Sequence, residues 1–130
     1  MPAIAAAGCA LRAQRPLPSE KESRTPAQQK INSQLLYELY RLRGEATLKN
    51  VPPDPTGVKL DRKGRALVDV RAEVTPALQK NVLTLGGTIE STSIEYRSII
   101  AWVPLNSLER LAADPAVRAI EPAAQAFINR

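Results

Sequence analysis

The second half of the chain alternates between two hydrophobic periodicities. Residues 65–74 carry small apolar side chains at the even positions and mostly charged ones at the odd positions, which is typical of a half-buried strand. Thr75-Pro76 then supplies an N-cap and a first helical residue, an apolar stripe follows at helical spacing, and Gly86-Gly87 marks the end. The pattern predicts a strand joined to a helix by almost no loop.

A second strand-and-helix unit follows. Residues 88–96 are rich in Thr, Ser and Ile, and residues 98–103 are almost continuously apolar, so together they predict a β-hairpin. Asn106 with Glu109 three residues later predicts a capping box at the start of another helix. Residues 116–121 predict a last short strand.

The resulting order is βαββαβ. Because βαβ crossovers are right-handed, both helices should fall on the same side of the sheet and leave its other side uncovered. We therefore expect an α+β chain with a ferredoxin-like fold. It would have a four-stranded antiparallel sheet with two helices on one face, plus an extra N-terminal helix.

The first half of the chain predicts flanking segments around one helix. Thr25-Pro26 again supplies a cap, and apolar residues recur at helical spacing up to Gly44. The stripe is broad enough to require docking, either on the chain's own domain or on another protein. The predicted segments are a disordered or signal-like stretch (1–24), the helix (25–44), a proline-rich linker (45–62), the βαββαβ module (63–122) and an extended tail (123–130).

The N-terminal residues also bear on localisation. Met1 to Gln14 resemble the end of a secretory signal, although no Lys or Arg precedes the short apolar run. Ala7-Gly8-Cys9 is similar to a bacterial lipoprotein cleavage site, which would lipidate Cys9. The alternative to both readings is an unstructured N-terminal segment. On the signal-like pattern, we expect a secreted or extracytoplasmic protein.

Composition narrows the possible chemistry. The chain has no His and one Cys, so no catalytic residues, metal ligands or cofactors are predicted, and an enzyme is not expected. Aromatic residues make up only 4%, which leaves little scope for a large ligand cavity. No apolar stretch approaches the roughly 20 residues that span a bilayer.

The net charge of +5 lies outside the module. Residues 1–63 carry eleven Lys or Arg against six Asp or Glu, whereas residues 64–122 carry six against seven. Phosphate binding requires a basic cluster, because affinity depends on the number of phosphates neutralised. No nucleic-acid partner is therefore expected for the module.

The third strand is apolar on both sides. Ile99, Ala101 and Val103 should face the helices, while Ile100 and Trp102 face the other way. The second side needs a cover, which is either the N-terminal helix or another protein with Trp102 as the large anchor.

Residues 64–130 resemble the N-terminal prodomain of bacterial subtilisin-like serine proteases, the propeptide inhibitors. The resemblance covers about half of the chain. It rests on the strand ALVDV at 66–70, on LGGT at 85–88, on SIIA at 98–101, and above all on LAADPAVRAIE at 111–121. Within the last of these, residues 114–121 follow the pattern Asp-Pro-x-Val-x-x-Ile-Glu, in which a helix, a proline stop and a short strand succeed one another in a fixed order.

The resemblance implies that the domain assists the folding of a subtilisin-like protease and then inhibits it, in cis within a longer precursor or in trans. The sheet would dock on the enzyme, and Glu121 would cap the N-terminus of a protease helix. A second acidic residue is usual two positions later, where this chain has Ala123. The substrate cleft would take the C-terminal residues Ala124, Gln125, Ala126, Phe127, Ile128, Asn129 and Arg130.

Two other functions share the predicted strand order. An RNA-recognition module would display aromatic residues on its central strands, and this chain offers Trp102 and Tyr96. A small regulatory ferredoxin-like domain would bind its ligand through backbone groups at helix ends.

Overall fold

The computed structural model describes residues 19–123. The helices are α1 (Pro26–Gln29), α2 (Ser33–Leu42), α3 (Pro76–Thr84) and α4 (Leu108–Ala112), and a 3-10 turn at Leu105–Ser107 leads into α4. The strands are β1 (Arg65–Ala72), β2 (Thr88–Ser93), β3 (Ser98–Pro104) and β4 (Val117–Pro122).

The four strands form one antiparallel sheet in the spatial order β2-β3-β1-β4. The predicted α+β class with a four-stranded antiparallel sheet is confirmed, and this architecture is compatible with a ferredoxin-like fold. Strand β1 ends two residues earlier than predicted, at Ala72. Strand β2 ends at Ser93, because residues 94–97 make the reversal and Arg97 adopts a left-handed φ of 54°.

Helix α3 has the ends predicted for it. The Thr75 hydroxyl accepts a hydrogen bond from the Leu78 N–H at 3.1 Å, and Pro76 is the first helical residue. Gly86 follows the helix with a φ of +93°, a conformation that strongly favours glycine. Leu78 and Val82 are buried against the sheet, so α3 covers one of its faces.

The capping box predicted at Asn106 and Glu109 does not form. The chain there makes the 3-10 turn first, and neither this turn nor α4 has a side-chain hydrogen bond at its N-cap. Glu109 instead accepts a hydrogen bond from the Gln28 amide at 2.7 Å and pairs with Arg43. The hydrogen bond from Arg43 holds the pKa of Glu109 below its ordinary value. The carboxylate therefore serves a tertiary contact rather than its own helix.

The single helix predicted over 25–44 is two helices. Thr25 caps α1 in a capping box with Gln28, as its sequence suggests. The break follows because residues 30–32 pair with β4: the Asn32 N–H donates to the Ile120 carbonyl, and the Ile120 N–H donates to the Lys30 carbonyl, both at 2.8 Å. Asn32 then caps α2 through its side chain. The sheet thus interrupts a continuous helical pattern.

The N-terminal arm, residues 19–44, belongs to the same core as the module. Leu35, Leu36, Leu39 and Tyr40 are almost fully buried in one cluster with the helix-facing side of the sheet. Of the two alternatives for this helix, docking on its own domain is the one that the structure shows. The boundary predicted at residue 62 does not separate two cores.

Parts of the predicted disordered and linker segments are structured. Residues 19–24 form a turn, in which the Arg24 guanidinium bonds the Glu20 carboxylate. In the proline-rich stretch, Arg41 donates hydrogen bonds to the carbonyls of Pro52 and Asp54 at 2.7 and 2.8 Å. The first contact closes the turn at the start of the arm, and the other two hold the proline-rich stretch against α2. Residues 1–18, including Cys9, lie outside the described residues.

Candidate functional site

The face of the sheet opposite the core is the candidate site, and we call it the open face. Cross-strand pairing assigns its members, because residues that pair directly point to the same side. They are Arg65, Leu67, Asp69 and Arg71 on β1, Ser98, Ile100 and Trp102 on β3, Thr88, Ser91 and Ser93 on β2, and Ala119 and Glu121 on β4.

An apolar patch occupies the centre of the open face. Leu67 and Trp102 are directly paired on neighbouring strands, and Ile100 lies two residues along from Trp102. Ile100 and Trp102 are half-buried, whereas Leu67 is only 6% exposed. None of the three joins the main core cluster, in which the buried residues of α2 lie. The N-terminal helix therefore packs with the other helices and does not cover this patch.

One side of Trp102 has a partner within the chain. The Lys59 ammonium lies 5.9 Å from the centroid of the indole ring, which is within the range of a cation–π contact. Lys59 is itself exposed. The contact places a positive charge at the margin of the apolar patch.

Glu121 lies beside the patch in an unfavourable electrostatic position. It pairs directly with Asp69 on β1, and like charges opposite one another destabilise a sheet. Asp69 is compensated by the Ser98 hydroxyl at 2.6 Å and by Arg71. The exposed Glu121 carboxylate forms no ion pair within residues 19–123. Its charge is therefore available to an external donor.

The C-terminal tail leaves the domain at the edge of this face. Ala123 is the last described residue, and its N–H donates to the Leu67 carbonyl at 3.1 Å. The tail therefore begins next to a member of the apolar patch. The residues predicted to enter a protease cleft, 124–130, lie outside the described residues.

A buried hydrogen-bonded group of titratable side chains lies within the arm and not on the open face. Tyr40 is 1% exposed and its hydroxyl donates to Glu20 at 2.8 Å; burial first, and then this hydrogen bond, raise the pKa of Tyr40. Burial also opposes ionisation of Glu20, but hydrogen bonds from Arg24 and Tyr40 outweigh it and lower the pKa of Glu20. Structural ion-pair networks, and not only functional sites, perturb pKa values. This one fastens the first turn of the arm.

Between Ser19 and Ala123, no group of three or more His, Cys, Asp or Glu side chains is placed to hold a metal ion. In the same range, no helix combines the length and the apolar character needed to cross a membrane. Comparison of the chain with models of known protein families, with curated proteins and with solved structures finds no match. The geometry of the open face is therefore the basis for assigning a function.

Of the residues predicted for the interface, the structure brings Ile100, Trp102 and Glu121 onto one face. Sequence reasoning missed Leu67 and Lys59. Leu67 gives a signal, because it is the one apolar residue at an odd position between Arg65 and Glu73. Lys59 gives none, since its position over Trp102 depends on how the preceding segment folds back along β1.

Proposed function

We propose that this chain is a protease prodomain that acts as an intramolecular chaperone and inhibitor of a subtilisin-like serine protease, in cis within a longer precursor or in trans. The domain is a ferredoxin-like unit with α3 and α4 on one face and the N-terminal arm packed beside them. The open face docks on the enzyme, and the tail at 124–130 occupies its substrate cleft. The observation that carries this proposal is the half-buried apolar surface of Ile100 and Trp102, which lies beside the buried Leu67 and outside the main core cluster.

The patch has the composition of a protein-binding centre. Large aromatic side chains surrounded by smaller apolar and polar ones contribute most of the binding energy in interfaces. Trp102 supplies such an anchor, and Ser, Thr and charged residues surround it on the same face. A protein partner would remove the remaining exposed apolar surface from water.

Glu121 supports the same docking. Its carboxylate faces Asp69 and has no cation within the described chain. The N-terminus of a partner helix presents free N–H groups and a partial positive charge, which would offset that repulsion. One such contact between a charge and a helix terminus contributes roughly 0.3 to 2 kcal/mol of favourable free energy.

The charges of the open face favour a protein partner over a nucleic acid. Arg65 and Arg71 are balanced there by Asp69 and Glu121, and both arginines already contact carboxylates. A phosphate backbone requires a surplus of cations to release its counterions. Tyr96 lies in the reversal at 94–97 and not on a strand, so Trp102 is the aromatic residue that the described sheet offers to the RNA-binding alternative.

The test is inhibition of a subtilisin-type protease by the full chain. We expect the full chain to slow hydrolysis of a peptide substrate, and a variant ending at Ala123 to lose this effect. Circular dichroism should give the same spectrum and midpoint for both, because the described core ends at Ala123. Equal inhibition by the two chains would contradict the cleft-binding tail, and no inhibition by either would contradict the proposed function.

A further inference from the structure

The two backbone groups of Leu67 form hydrogen bonds with two different segments, which lie next to each other along the same edge of β1. Its carbonyl accepts from the Ala123 N–H at 3.1 Å, at the end of β4. Its N–H donates instead to the Lys59 carbonyl at 3.0 Å. Beyond this point the partner of β1 is the segment 59–61: Leu60 pairs with Ala66, and the Asp61 N–H donates to the Arg65 carbonyl at 2.9 Å.

A tight turn holds this segment in place. The Gly64 N–H donates to the Asp61 carbonyl at 3.1 Å, Arg62 and Lys63 keep negative φ, and Gly64 has a φ of +76°. This is a type I turn followed by a left-handed residue, a common three-residue hairpin connection. The Asp61 carboxylate accepts from the N–H groups of Lys63 and Arg65 at 2.9 and 2.8 Å. Asp61 therefore organises both the turn and the pairing.

The hairpin uses backbone groups that the tail would otherwise take. The β1–β4 register pairs Val68 with Pro122. Continued without interruption, it would place Gln125 opposite Arg65 and bond the Gln125 N–H to the Arg65 carbonyl. That carbonyl already accepts from Asp61.

We infer that the segment 59–61 is a strand stop, which blocks the extension of β4 along β1 and keeps the tail available to a partner. Asp61 is its positioning residue. The role of the tail rests on the proposed function, since the substrate cleft is the site that would receive it. An extended peptide bound there gains backbone hydrogen bonds, and the same donors cannot serve two partners at once.

The experiment compares Asp61→Pro with Arg62→Pro in the full chain. Asp61→Pro removes the N–H that bonds Arg65 and the carboxylate that holds the turn. Arg62→Pro is the matched control, because Arg62 is the second residue of the type I turn, where proline is favoured. The readouts are amide hydrogen exchange of Gln125 in the free chain and the inhibition constant for a subtilisin-type protease.

With Asp61→Pro, we expect the Gln125 amide to gain protection and inhibition to weaken about tenfold, because apparent affinity falls with the fraction of molecules whose tail is free. Arg62→Pro should match the parent chain in both. Simple destabilisation would not increase protection of Gln125. Unchanged exchange at Gln125 in Asp61→Pro would overturn the strand stop. Inhibition by none of the chains, with exchange as expected, would overturn the proposed function alone.

Discussion

The two faces of the sheet differ in what covers them, although β3 supplies apolar residues to both. On one side Ile99, Ala101 and Val103 are fully buried beneath the helices. On the other side Ile100 and Trp102 are only half-buried, and the Lys59 ammonium lies over the Trp102 ring. The arm adds more apolar surface to the side that is already covered. This contrast is the basis for the proposed contact of Ile100 and Trp102 with another protein.

Removing the arm should have the largest effect, because it takes buried side chains away from the covered face of the sheet. A fragment of residues 63–130 lacks Leu35, Leu36, Leu39 and Tyr40, all almost fully buried. Deleting one buried leucine side chain costs about 2–5 kcal/mol, and a whole domain is stable by only about 5–15 kcal/mol. We expect the fragment to be unfolded by circular dichroism. A chain starting at Ser19 is the control, and cooperative melting of both would contradict a shared core.

A matched pair of substitutions on β3 separates the faces. Ile99 is 0% exposed and Ile100 is half-buried. Ile99→Ala should lower the free energy of unfolding by about 2–5 kcal/mol, and Ile100→Ala by about 1 kcal/mol. Only Ile100→Ala should weaken protease inhibition directly, by roughly five- to thirtyfold. Chemical denaturation and inhibition assays measure both, and equal loss of inhibition in the two variants, once corrected for stability, would remove the distinction.

The smallest effect concerns Glu121, where stability and binding should change in opposite directions. Glu121→Gln relieves the repulsion with Asp69, so the free energy of unfolding should rise by about 0.2–1 kcal/mol. Inhibition should weaken, because a neutral amide is a poorer partner for a helix N-terminus. Asp69→Asn is the comparison, since it relieves the same repulsion and keeps the Glu121 charge. Weaker inhibition in both variants would argue against a specific role for Glu121.

Much of the fold could be predicted because its signals are local. Thr75-Pro76 and Gly86 fix the ends of α3 through their own backbone preferences, and the alternation in β1 needs only one buried face. The failures involve distant partners. Ile31 has a helical neighbourhood, but pairing with Ile120 breaks the helix. Glu109 has capping-box spacing, but Gln28 and Arg43 compete for it.

The candidate site shows the same division. The two-sided apolar pattern of β3 identifies Ile100 and Trp102 from the sequence. The approach of Lys59 to Trp102 depends on the hairpin that joins the segment 59–61 to β1 through the turn at Gly64. The opposition of Asp69 and Glu121 depends on the register between β1 and β4. Neither follows from residue order alone, because both come from segments that fold back on β1.

The pairing of Ile31 with Ile120 also bears on how the molecule avoids aggregation. It covers part of the outer edge of β4 with the chain's own backbone. At the opposite edge, β2 carries an irregular register between Ile89 and Ser91 and an exposed Glu90. Irregular geometry and charge both discourage edge-to-edge strand addition. Sideways polymerisation through the sheet is thus disfavoured at both edges.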